Sequence, residues 1–117
     1  MKKKLVAFTI NTLEQAENII LESKIYKITP ILHFKKYFLE GFYVEFIIIF
    51  KDMLISKFGK KSFKLFVDCG FDQSIAIHLA RKKIDYLKLN GNSIILSKIK
   101  NITKKNRVLL NPSFNIV

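Results

Sequence analysis

The chain is poor in the residue types that mark most enzyme chemistries. Its single cysteine, Cys69, excludes an intramolecular disulfide and fits a reducing compartment. Its four glycines build neither a phosphate-cradling loop nor a dinucleotide fingerprint. No serine sits in a nucleophile elbow. Arginine occurs only at Arg81 and Arg107, although Lys and Arg together number 21 against 9 acids, a formal charge of +12. Base and phosphate recognition draws on the planar fork of arginine. Scattered lysines beside abundant Ile, Asn and Phe fit AT-rich coding better than a nucleic-acid interface. A basic nucleic-acid-associated module therefore stands as an alternative and not as the first reading. Long apolar runs are missing too. Phe42 to Phe50 is broken by Glu45 and stopped by Lys51 and Asp52, too short and too charged for a bilayer span. The apolar run after the basic start, Leu5 to Ile10, is too short for a secretion signal. These absences make a cytoplasmic protein the expectation.

What is present is alternation. Leu5–Ile10, Ile28–Phe34, Phe63–Val67, Tyr86–Leu89 and Val108–Leu110 are apolar runs of strand length, separated by segments with helical spacing. Half the residues are hydrophobic, enough for one modest core, so residues 1–117 read as a single α/β domain. Nearly continuous apolar strands argue for a parallel sheet of about five strands covered by helices. Thr12 with Gln15 forms a capping box, Asp72 and Asn92 are N-caps, and Gly59 closes a helix. The tail Asn111–Val117 reads as a last strand or as an extension docked on a neighbour.

The helix from Phe42 to Phe58 is apolar around most of its circumference, with Glu45, Asp52 and Ser56 as a narrow polar stripe. One sheet face cannot bury all of it, so the spacing predicts a self-association surface, and with it a homo-oligomer.

Three segments resemble class II fructose-bisphosphate aldolases. Val6-Ala7-Phe8-Thr9-Ile10-Asn11-Thr12-Leu13-Glu14-Gln15-Ala16 is similar to their first strand–helix junction, roughly gAFNvNNlEq. Leu65-Phe66-Val67-Asp68-Cys69-Gly70 is similar to LHLDHG, and Leu87-Lys88-Leu89-Asn90-Gly91-Asn92-Ser93 to vMIDGS. The matches fall in the family's order and reach only about the first half of its barrel. The resemblance implies a half TIM barrel, with a flavodoxin-like open sheet as the alternative. It also implies that Asp68 stands for the family's proton-transferring aspartate and Cys69 for a zinc-binding histidine. Asn90 stands where a carboxylate is expected, and the later zinc ligands have no counterpart.

The candidate catalytic residue is thus Asp68, and the candidate metal ligands are Cys69 and His33, with no cofactor expected and zinc as the alternative. His33 near the end of its strand could approach Asp68 across the sheet. The other histidine, His78, falls inside a helix and faces away. Lys64 lies at the start of its strand, the wrong end for a barrel site, and Lys88 is better placed. The favoured reading is an aldolase-like half-barrel without aldolase activity, acting as a self-associating interaction protein. The enzyme alternative is a small metal-dependent lyase using Asp68.

Overall fold

Each apolar run of strand length becomes a strand, and each helically spaced segment between them packs on one side of the resulting sheet. The computed structural model describes residues 5–36 and 44–117. Within them the order is β1 (Val6–Thr9), α1 (Leu13–Ile25), β2 (Ile31–Phe34), α2 (Val44–Phe58), β3 (Lys64–Asp68), α3 (Gln73–Arg81), β4 (Tyr86–Lys88), α4 (Ser93–Lys105), β5 (Leu109–Leu110) and β6 (Asn115–Ile116). The expected helix 42–58 is observed from Val44 onward; Phe42 and Tyr43 lie outside the described residues.

The caps work locally as their chemistry demands. Thr12 Oγ1 accepts from the Gln15 amide at 3.1 Å, while Gln15 Oε1 accepts from the Asn11 amide at 2.7 Å. Asp72 and Asn92 carboxyl and carboxamide oxygens accept from the amides of Ile75 and Ile95. The other helix ends are less usual. Lys27, Lys83 and Arg107 take the left-handed conformation, with φ of 55°, 63° and 60°, at the position glycine normally fills after a helix. The amides of Ile28, Ile84 and Val108 then reach back to the carbonyls of Ser23, Leu79 and Thr103, completing the closing turn each time.

All five strand pairings are parallel, and the sheet order is β5-β4-β3-β2-β1-β6. There are six strands, one more than the apolar runs give, because the tail supplies β6. The unreversed order from β1 to β5 is that of a barrel segment and excludes the flavodoxin-like alternative, whose order reverses at a switch point.

The sheet is curled. β5 and β6 occupy its two edges, yet only residues 111–114 join them. Five extended Cα steps reach about 17 Å. In a flat six-stranded sheet the edges would stand about 24 Å apart. The chain can make the connection only across the concave side of a half-barrel.

The two sides of the sheet differ in what they bury. The convex side packs Ile10, Leu32, Phe34, Leu65, Val67, Leu87 and Leu89 against Ala16 and Ile20 of α1, Ile47, Phe50 and Leu54 of α2, Ala76, Leu79 and Ala80 of α3, and Ile99 of α4. The concave side carries a smaller cluster, Ala7, Ile31 and Phe66, with Tyr86 and Phe114 against it. None of the helices among the described residues is long and apolar enough to cross a membrane.

Candidate functional site

Strand alternation decides which polar groups can meet. Ala7, Ile31, Phe66 and Tyr86 face the concave side, so residues two positions away on the same strands share it: Thr9, His33, Lys64, Asp68 and Lys88. Thr9, His33, Asp68 and Lys88 lie at the C-terminal half of the sheet, the end where parallel barrels place their chemistry. Lys64 lies at the other end, its ammonium 5.7 Å from the Tyr86 ring centre.

His33 is buried, at 3% exposure. Its Nδ1 lies 3.1 Å from Thr9 Oγ1, and its ring is 4.9 Å from the Phe66 ring. Nε2 has no hydrogen-bond partner among the described residues. Burial lowers its pKa below the ordinary 6.5, and the Asp68 carboxylate opposes that shift while Lys35 and Lys88 reinforce it. The ring is therefore a neutral imidazole at pH 7, with one nitrogen left unpaired in a dry place.

Asp68 ends β3 half-buried, and its Oδ1 accepts from the Gly70 amide at 2.9 Å. The acid thus stabilises its own turn. Glycine eases that turn, since Gly70 has a φ of 60° and a Cβ there would come within 2.7 Å of the Lys36 side chain, which would have to move. Across the sheet Asp68 is the register partner of Lys88, yet the two form no ion pair.

Cys69 goes the other way. Its side chain is buried in the convex core, with Sγ 3.9 Å from the Val67 carbonyl oxygen. Burial, with the nearby Asp68 and Asp72 carboxylates, pushes the thiol up to about 12. Zinc takes a thiolate. A thiol held protonated on the convex side does not fit as a partner for an imidazole on the concave side. Among the described residues, no three of His, Cys, Asp and Glu converge as a metal cluster. His78 is held by Glu45, with Nε2 2.8 Å from Oε1, on the helical surface.

The tail adds residues that local sequence patterns do not mark. Asn111, at φ 53°, uses its side-chain amide as a false strand: Oδ1 accepts from the Leu89 amide and Nδ2 donates to the Leu89 carbonyl. This turns the chain off β5 and across the concave side. Phe114 then meets Tyr86 and Phe66 edge-on, with ring centres 4.8 and 5.4 Å apart. The Val117 amide donates to the Ala7 carbonyl, and the Thr9 amide donates to the Val117 carbonyl, so β6 closes the β1 edge. A cavity of about 420 Å³ remains beside the tail, lined by Phe66, Lys88, Asn90, Gly91, Ser113 and Phe114 among others. Only the parity of Thr9 with Ala7 was available to signal its role. Nothing local signals Phe114.

The sequence matches no family model and no curated protein. Among solved structures, a Coccidioides immitis protein described as a fructose-1,6-bisphosphate aldolase is similar over 92% of this chain, with a TM-score of 0.70 and 13% identity. This chain spans only 40% of that structure. The YdjI aldolase of Escherichia coli is similar over 86% of this chain and 52% of its own length, at 14% identity and a TM-score of 0.44, too low to bear on the fold. At these identities the first likeness establishes a shared fold, that of an aldolase-like half-barrel.

Proposed function

We propose that this chain is an aldolase-like half-barrel that does not carry out aldol cleavage and works as a self-associating interaction protein through α2. The observation carrying this reading is a ridge on α2. Phe46, Ile49 and Met53, at helical spacing, are 39%, 55% and 49% exposed, while Ile47, Phe50 and Leu54 face the core. Two of the charges beside the ridge are engaged elsewhere, Glu45 with His78 and Lys57 with Glu17, while Asp52 is exposed at its edge. An apolar ridge with few free charges at its border suits contact with a second copy. Burying half of each side chain contributes roughly 1 kcal/mol apiece. The large positive charge opposes association, so salt should strengthen it.

Loss of aldol chemistry is supported by the donor set. The position that resembles a zinc ligand holds a core thiol, Asp68 bonds its own turn, and Phe114 fills part of the concave interior. Sedimentation of the purified protein across a concentration series should show species heavier than the 13.7 kDa chain, increasing with salt. Ile49→Asp should return it to a monomer with unchanged circular dichroism. A wild-type protein that stays monomeric at millimolar concentration sinks the association reading. Stoichiometric zinc together with cleavage of fructose 1,6-bisphosphate would sink the other half.

One observation favours a second reading. Asp68 lies at a strand C-terminus and is close enough to His33 to influence its titration. This supports Asp68 as the acid/base of a small lyase. Asp68→Asn would then abolish a turnover measurable in the wild type, while leaving its mass in solution unaltered.

A further inference from the structure

Lys88 is half-buried on the concave side, and its ammonium has no hydrogen bond or ion pair among the described residues. Its cross-strand neighbour Asp68, the one carboxylate in register with it, is turned to the Gly70 amide. A half-buried ammonium with no hydrogen-bond partner among the described residues can take an anion brought to it. Lys88 lines the 420 Å³ cavity between the tail and the end of β4, so there is room for one.

The surroundings define the ligand further. Gly91 and Leu96 line the same cavity, which places it against the first turn of α4. Asn92 caps only the Ile95 amide there, and the positive end of that 13-residue helix adds to the field of Lys88. The Ser113 hydroxyl and the Asn90 carboxamide form no hydrogen bond within the described residues and can donate to an oxyanion. The rings of Phe66 and Phe114 line the same cavity. A cavity lined by both an ammonium and aromatic rings matches a small organic anion with an apolar body, not a bare ion.

We propose that the cavity between the tail and the β4 end binds a small monocarboxylate, its oxygens at Lys88 and Ser113 and its apolar part against Phe66 and Phe114. The site differs from the Asp68 turn, and the tail forms one of its walls. It is independent of self-association, since none of these residues lies on the α2 ridge.

Benzoate is a suitable probe, titrated into labelled full-length protein and followed by amide chemical shifts, with benzyl alcohol and inorganic phosphate as controls. The expected result is saturable benzoate binding with shifts at residues 88–93 and 111–114. Both controls should bind at least about tenfold more weakly. Lys88→Met, which keeps the stem and removes the charge, should cost at least about tenfold. Ser113→Asp places a carboxylate, from a solvent-exposed position, in the cavity that Lys88 lines, so it should abolish binding without disturbing the sheet. This second variant decides the matter if Lys88→Met does not fold. No saturation in the wild type, or equal affinity in a folded Lys88→Met or Ser113→Asp protein, overturns the proposal. Phosphate binding as tight as benzoate overturns the apolar half of it.

Discussion

The convex and concave sides of the sheet use the same strands to opposite ends. Leu65 and Val67 point into a continuous dry core, while Lys64, Phe66 and Asp68, alternating with them, face an interior that only a tail covers. The convex side draws on four helices for its packing, and its buried groups are almost all hydrocarbon. The concave side holds three buried apolar residues and four polar ones at its upper end. A one-residue offset along a strand therefore separates stability from potential chemistry. It also explains why Cys69 and Asp68, adjacent in sequence, serve different sides.

The sharpest break of this contrast uses Cys69. If the thiol belongs to the dry side, native protein should react with a thiol reagent at least about a thousandfold more slowly than unfolded protein, the ratio set by global opening. Labelling at the unfolded rate would place Cys69 in the open interior. Next in size is Leu65→Ala. It should lower unfolding free energy by about 3 kcal/mol in a urea titration, as for other fully buried leucines. Phe114→Ala, on the opposite side, should cost only about 1–2 kcal/mol, because its ring is half-exposed and its partners are two ring edges. A loss equal to that of Leu65→Ala would erase the distinction between the sides.

The smallest effect concerns His33. Its folded pKa is lowered, so the unfolded chain takes up the proton first as pH falls. Stability should thus be full above the ordinary value of 6.5 and decline below it, no more steeply than about 1.4 kcal/mol per pH unit for one proton. His33→Leu should flatten that slope in denaturation curves taken between pH 5 and 7.5. An unchanged slope would mean the imidazole is not the group that titrates.

Local chemistry made much of this fold legible. Thr12, Asp72 and Asn92 cap helices because a short polar side chain before an apolar stripe has few other uses, and all three do so. The five apolar runs became strands with ends shifted by a few residues. What escaped was non-local. The tail reads as a last strand, but its pairing with β1 follows only from the unpaired edge that β1 offers. The turn at Asn111 depends on the backbone of Leu89, whereas the sequence shows only an asparagine before a proline. The pairing of Thr9 with His33 needs the β1–β2 register. The split between Cys69 and His33 follows from alternation beyond the end of β3, where strand geometry is already giving way to the Gly70 turn.

The partner of the final strand has a consequence in time. Ala7 pairs with Ile116, nearly the full length of the chain away, and no other strand pairing joins residues so distant in sequence. Such a contact must wait for loop closure across everything between, so β6 is placed to assemble after the β1–β5 pairings and to be the first to release. During synthesis β1 would stand with a bare edge, and Phe66 and Tyr86 without a cover, until residues 114–117 arrive. The chain would pass through a five-stranded form whose exposed edge and rings make it most open to wrong partners just before β6 docks.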